Sequence, residues 1–152
     1  MKAVNQLTDD GRFILTLIKT EDLLLKVLKQ IKFEDIQNVN MIKLFQHICS
    51  QNFNKVVAKV FAHYNDKHTE YFELMLFPNE KDGNNALMEA AISESKGVLL
   101  SLLGFFSISS QANKYLDKVL HLENKKNQTV LKIITSHGQE IQFYQVVTNL
   151  IS

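Results

Sequence analysis

The sequence predicts an all-α chain built from stacked helical repeats, and three observations support this class of fold. Apolar residues recur every three or four positions through most of the 152 residues, which is the spacing of an amphipathic helix. One proline and five glycines are few for a chain of many β-turns. The stretch 81–91 has a degraded copy 44 residues later, at 125–135, and similarity at a fixed distance is the signature of a repeat protein.

Composition and charge restrict the kind of domain, the partners and the location that we expect for this chain. Hydrophobic residues make up 45% of the chain, so we expect one globular domain over 1–152 with a substantial core. The 17 basic and 16 acidic residues nearly cancel, which predicts no nucleic-acid partner and no general attraction to an anionic membrane. The longest apolar run, 97–108, is shorter than the roughly 20 residues that span a bilayer. With the single cysteine Cys49, a reducing cytoplasmic location is expected.

The first two predicted units, 9–37 and 38–80, follow from apolar stripes and helix-start signals. Thr20 can cap a helix whose first turn holds acidic Glu21, where the helix dipole favours negative charge. Pro78 ends the second unit, because the residue before a proline is pushed out of the α region. Four further helices are predicted at about 13–19, 42–50, 53–64 and 68–77.

The third and fourth predicted units, 81–124 and 125–152, repeat this scheme. Asn85 and Thr129 are placed as helix N-caps, and Ser109 or Ser110 can cap another helix. The predicted helices lie at about 86–92, 98–106, 112–120, 131–136 and 141–151, with a turn at 137–138.

Aligning the units shows which positions recur. An offset of 44 matches Tyr71 with Tyr115 and Leu87 with Leu131, and an offset of 42 matches Phe45 with Leu87. The match is one of apolar pattern more than of identity. Because one such unit cannot bury its own apolar face, neighbouring units must stack into a solenoid of about four degenerate repeats.

These residues resemble the ankyrin repeat, whose pattern is a glycine turn, Thr-Pro-Leu-His, two alanines, two variable residues, a glycine and a second helix. Gly83 takes the turn position, Leu87 the leucine position, and Ala90 and Ala91 the paired alanines, while Leu131 holds the leucine position of the fourth unit. The period exceeds the usual one of about 33 and resembles the long ankyrin variant with an extra helix, as in effector proteins of intracellular bacteria such as Legionella. HEAT and armadillo-like repeats have a similar period and stay open as the alternative fold.

The resemblance implies a protein–protein interaction module that binds another protein through repeat tips and the outward side of inner helices. It also implies an effector or adaptor, either cytoplasmic or delivered into a host cell. By this resemblance the exposed, partner-binding positions would be Arg12, Lys43, Lys81, Asp82, Asn84, Glu89, Lys125, Lys126, Gln128 and Ile133.

Catalysis and metal binding have little support in the residue pattern. His63 and His68 are five residues apart, which is off the spacing that places two ligands on one helix face. His47 and Cys49, two residues apart on a helix, face away from each other. Gly83 is not followed by the Lys-Ser/Thr pair of a phosphate-binding loop. We therefore predict no catalytic residue, no metal and no cofactor.

Two other functions stay open. One is an enzyme whose cleft is not recognisable from the residue pattern. The other is a self-associating scaffold or part of a larger effector, in which the predicted C-terminal helix docks a second copy or the remainder of a longer chain. The apolar residues that would make this contact are Val146, Val147, Leu150 and Ile151.

Overall fold

The computed structural model describes residues 5–7, 13–109 and 112–136, and the regular secondary structure of this part of the chain is helical apart from one isolated bridge. An isolated antiparallel bridge pairs Leu7 with Phe13, and two short 3-10 helices cover Ile14–Leu17 and Phe33–Asp35. The α-helices in the described residues are α1 (Glu21–Leu28), α2 (Asn38–Ser50), α3 (Asn54–His63), α4 (His68–Leu76), α5 (Ala86–Ile92), α6 (Lys96–Ile108), α7 (Ala112–His121) and α8 (Val130–Ser136). The predicted all-α class is confirmed.

Several element boundaries differ from the predicted ones. The predicted helix over 13–19 is only the 3-10 turn Ile14–Leu17. Helix α2 begins at Asn38 instead of at position 42, and the side chain of Asn5 helps to fix this start. Its Oδ1 accepts hydrogen bonds from the backbone N–H of Gln37 at 2.9 Å and from Nδ2 of Asn40 at 3.1 Å. The helix predicted over 141–151 and the turn at 137–138 lie outside the described residues.

The helices pack in two series of neighbours. The 3-10 turn Ile14–Leu17 packs on α2, α2 on α5, and α5 on α8. In the second series α1 packs on α3, and α3 on α6. Helix α4 lies against α2 and α5, and α7 lies against α6 and α8. Helix α5 is therefore enclosed by its neighbours, and five of its seven residues are buried.

An aromatic cluster fills the space between α4, α6 and α7. The rings of Phe72 and Tyr115 stack with centroids 4.3 Å apart, and Tyr71 meets Phe105 edge-on at 4.7 Å. Such pairs stabilise the fold beyond the apolar area that they bury, by roughly 0.5–1.5 kcal/mol each. Both tyrosines are buried, so their recurrence in the sequence reflects packing.

Two pairs of turn residues adopt the left-handed backbone conformation at the spacing found in the sequence. Asn52 and Glu94, 42 positions apart, follow α2 and α5 with φ of 59° and 54°. Gly83 and Asn127, 44 positions apart, have φ of 75° and 58°. Since non-glycine residues rarely adopt positive φ, these shared values mark the same turn geometry at each pair.

The turns after α2 and α5 also have the same hydrogen-bonding pattern. The N–H of Phe53 donates to the carbonyl of Ile48 at 3.0 Å, and the N–H of Ser95 donates to the carbonyl of Ala90 at 2.8 Å. These are six-to-one bonds of the kind that close a helix through a left-handed residue.

Side chains cap several helices, and some of the caps come from an earlier helix or turn. Asn85 caps α5 through Met88 N–H at 3.0 Å and Thr129 caps α8 through Lys132 N–H at 3.2 Å, as predicted. Thr20 stands at the N-cap position of α1 but its hydroxyl makes no capping bond. The carboxylate of the next residue, Glu21, caps a different helix: it accepts a hydrogen bond from Lys55 N–H at 2.8 Å, at the start of α3. In the same way, Asn52 Oδ1 accepts from Val98 N–H at 3.2 Å, at the start of α6.

Candidate interaction surface

The turn 79–84, which leads into α5, is organised by one asparagine side chain. Asn79 Oδ1 accepts hydrogen bonds from the N–H groups of Asp82 at 2.9 Å and Gly83 at 3.3 Å. The N–H of Asn79 donates to the carbonyl of Asn84 at 2.9 Å, which closes the loop. Gly83 adopts positive φ here at little steric cost. The sequence thus builds a tight turn directly before the Asn85 cap.

The turn 124–128, which leads into α8, is also folded by an asparagine side chain, in a loop that is one residue shorter. Asn124 Oδ1 accepts from the N–H groups of Lys126 and Gln128, both at 2.9 Å. The N–H of Asn124 donates to the carbonyl of Gln128 at 3.0 Å. Asn127 takes the left-handed position, which asparagine tolerates better than most residues. An asparagine at the start of each loop therefore supplies the acceptor that folds it.

The two turns are joined directly to each other. Asn124 Nδ2 donates to Asn84 Oδ1 at 2.8 Å, and the N–H of Lys125 donates to the carbonyl of Asp82 at 2.9 Å. Lys125 Nζ also donates to the carbonyl of Glu80. A Cβ added at Gly83 would come within 3.0 Å of the Lys125 nitrogen, so the backbones are in close contact. The turns 79–84 and 124–128 thus form one continuous surface, which we call the turn edge.

Helices α2 and α5 contribute side chains to this edge. Gln46 Nε2 on α2 donates to the carbonyls of Phe77 at 3.1 Å and Asn84 at 3.3 Å. The Glu89 carboxylate on α5 accepts from Nδ2 of Asn84 at 3.3 Å and of Asn79 at 3.4 Å. A network of side-chain amides and one carboxylate therefore connects α2 to the second turn.

The environment of Glu89 changes its acidity. Burial raises the pKa of the Glu89 carboxyl above its usual value, and the negative charge of Asp82 raises it further. The hydrogen bond from Asn84 and the positive charge of Lys81 oppose this shift. The carboxylate is half-buried and bonded to the turn, so its first role is to hold the turn in place.

The expectation of exposure is wrong for two of the predicted binding positions. Asn84 is 4% exposed, because its amide lies between the two turns and bonds to Asn124 and Glu89. Ile133 is 2% exposed, because it belongs to the buried stripe of α8 together with Val130 and Ile134. Neither side chain is presented to a partner.

The other predicted positions are mostly accessible. Arg12 lies outside the described residues, and Glu89 is half-buried as described above. Those that are fully or partly exposed are Lys43, Lys81, Asp82, Lys125, Lys126 and Gln128. The hydrogen bonds between the turns bring all of these except Lys43 onto one edge, while Lys43 lies on α2.

Sequence reasoning missed a groove beside α2, which we call the Phe77 groove. It consists of two adjoining depressions of about 330 and 360 Å³ that share Asn38, Ile42 and Phe77. Phe77 is 50% exposed and Val39 is 57% exposed. The other lining residues are Lys43, Gln46, Tyr64, Glu70, Glu73, Leu74, Pro78, Asn79 and Glu80. The available signal was Phe77 itself, a large apolar residue between the end of a helix and a proline.

Cys49 and His47 lie in surroundings that favour a structural role over a catalytic one. Cys49 is fully buried, and burial raises the pKa of its thiol well above the usual value, which keeps it protonated and unreactive. His47 Nε2 lies 2.8 Å from the carbonyl of Ile18, and burial lowers the pKa of the imidazole. Within the described residues, no group of three or more His, Cys, Asp and Glu side chains could hold a metal ion.

In the described part of the chain, every helix is too short or too polar to cross a bilayer. Comparisons with protein-family models, with curated proteins and with solved structures found no match. Function is therefore inferred from the turns and from the surface chemistry of the chain itself.

Proposed function

We propose that this chain is an ankyrin-like helical-repeat module that binds another protein through its linked turns and the adjoining surface of α2. The observation that carries the proposal is the recurrence of turn geometry. The left-handed residues Asn52 and Glu94 recur at the offset of 42, and Gly83 and Asn127 recur at the offset of 44. Repeats that share a turn and stack their helices present a continuous surface, and protein binding is the usual function of such a surface.

The hydrogen bonds between the turns support a binding role. Asn84 and Asn124 are buried and bonded to each other, so the exposed residues beside them are held in fixed relative positions. A surface that is already ordered loses less conformational entropy when a partner binds. The edge is therefore suited to recognition without rearrangement.

The exposed chemistry of the edge is charged and mixed in sign. Lys81, Lys125 and Lys126 are exposed, and the partly exposed Asp82 stands among them. Charged and polar groups of this kind form the rim of a protein interface, where they steer association and select the partner. We propose no catalytic step for this surface.

The experiment is a capture of partners from cell lysate, followed by direct binding of the identified partner to purified chains. The test variant carries Lys81→Glu and Lys126→Glu on the turn edge. The matched control carries Lys26→Glu and Lys29→Glu, the same change of charge at two exposed residues on or just after α1. Circular dichroism melting confirms that both variants remain folded.

The expected result is a partner that binds the wild type and the α1 control but binds the turn variant at least about tenfold more weakly. Equal binding by all three chains would move the interface away from the turns and contradict the proposal. Failure of the wild-type chain to bind any protein directly would contradict the binding function itself.

A further inference from the structure

We infer that the Phe77 groove receives a basic segment of the partner protein that carries one bulky apolar residue. The inference rests on the proposed binding function and adds the chemistry of the partner. It is carried by the exposed apolar floor of the groove together with the sign of the charges around it.

The floor of the groove is apolar and open to solvent. Val39 and Phe77 are each at least half exposed, and Ile42 lies in both depressions between the α2 and α4 sides. Removing exposed apolar surface from water is favourable, so a group that covers Val39 and Phe77 gains affinity. The covering group must therefore be apolar.

The charges along the groove are predominantly negative. Glu70 and Glu73 line the depression on the α4 side, and Glu80 lines the one on the turn side. Lys43 is the one cationic residue among the lining residues of the two depressions. An acidic segment would meet three carboxylates here, whereas lysine or arginine side chains would be attracted.

The end of α4 adds to the negative potential. Helix α4 ends at Leu76, and its last turn holds Glu73 and no basic residue. The carbonyl groups at a helix C-terminus carry partial negative charge and favour a cation nearby. Phe77 is the C-cap residue of α4 and is half exposed, and an arginine or lysine can also interact with the face of such a ring.

The size of the groove favours a segment with a single anchor. Volumes of about 330 and 360 Å³ lie at the lower end of ligand pockets and suit one or two large side chains. The occupant that satisfies both the floor and the rim is a chain segment with an apolar anchor and flanking basic residues. A polyanion such as nucleic acid fits neither.

The experiment is a selection of peptides from a random-peptide display library on the immobilised full chain. One selected peptide is then synthesised and titrated against purified variants by fluorescence polarisation at low and high salt. The test variant carries Glu70→Lys and Glu73→Lys, and the matched control carries Glu94→Lys and Glu123→Lys, which reverse two exposed charges outside the groove. A third variant, Phe77→Ser, removes the apolar anchor point.

The expected result is enrichment of peptides with several basic residues and one large apolar residue. Binding should weaken at least about tenfold in the double Glu→Lys variant and in Phe77→Ser, stay unchanged in the control, and fall with salt. Enrichment of acidic or uncharged peptides would overturn the inferred chemistry, and basic peptides that bind the groove variants normally would overturn the location. A selection without enrichment would overturn the inference too, and the capture experiment on the turn edge decides separately whether the binding function stands.

Discussion

Replacing Asn124 with alanine tests whether the linked turns hold the fold together. The Asn124 side chain makes four hydrogen bonds, and its residue is 6% exposed. Its oxygen accepts from the N–H groups of Lys126 and Gln128, and its nitrogen donates to Asn84 Oδ1 and Gln128 Oε1. Alanine removes all four and leaves the buried Asn84 oxygen without this donor.

The magnitude follows from the surroundings of each bond. A side-chain hydrogen bond contributes about 0.5–1.5 kcal/mol net, and an unsatisfied buried acceptor costs about 1–3 kcal/mol. Lys126 is exposed and Gln128 partly exposed, so water replaces part of the loss at their N–H groups. We expect Asn124→Ala to lower the free energy of unfolding by about 2–4 kcal/mol.

Urea unfolding followed by circular dichroism measures this loss. The control is Asn65→Ala, an asparagine that is exposed after α3 and should change the free energy of unfolding by less than about 0.5 kcal/mol. A double-mutant cycle with Asn84→Ala should give a coupling of about 1 kcal/mol for the bond between the turns. A loss equal to that of the control, or a coupling near zero, would refute the reasoning that these amides join the turns.

Three further changes test other parts of the fold. Leu87→Asp places a charge at a fully buried position and should lower the free energy of unfolding by at least about 4 kcal/mol. Leu100→Asp, at a residue that is 40% exposed, should retain most of the stability. Equal melting temperatures of the two variants would contradict the buried position of Leu87 in α5. Glu94→Gly should raise the free energy of unfolding by about 0.5–1 kcal/mol, because glycine accepts φ of 54° without strain. Ser93→Gly, at φ of −82°, should lower the free energy of unfolding. A lower free energy of unfolding in both variants would contradict backbone strain at Glu94. Because the pKa of Glu89 is raised, its contribution to stability is present below the usual value of 4.5 and is lost as pH rises through the folded pKa. Glu89→Gln should therefore gain stability relative to the wild type between acidic and neutral pH in urea unfolding, and a constant difference would contradict the shift.

Much of the helical framework could be predicted because it depends on local signals. The Asn85 and Thr129 caps, the stop at Pro78 and the buried face of α5 follow from residue types within a few positions along the chain. The start of α2 was missed because it depends on Asn5, which lies more than thirty residues away in sequence. Hydrogen bonds between residues so far apart along the chain produce no periodic pattern in the sequence.

The candidate surface was harder to predict for a related reason. Asn84 looked like an exposed tip because it is polar and sits in a turn, yet its partner Asn124 is forty positions away and buries it. The amphipathic pattern around Ile133 was assigned the wrong outward side, since α8 is only seven residues long and shows less than two full turns. The Phe77 groove arises where α2 and α4 meet, so neither helix reveals it alone.

The caps at the starts of α3 and α6 give the chain a direction of assembly. Each of these two helices receives a side-chain acceptor from an earlier segment, Glu21 for α3 and Asn52 for α6. During synthesis from the N-terminus, the capping residue has already left the ribosome when the helix that needs it emerges. A chain shortened from the N-terminus through α1 would therefore leave the start of α3 without the Glu21 acceptor.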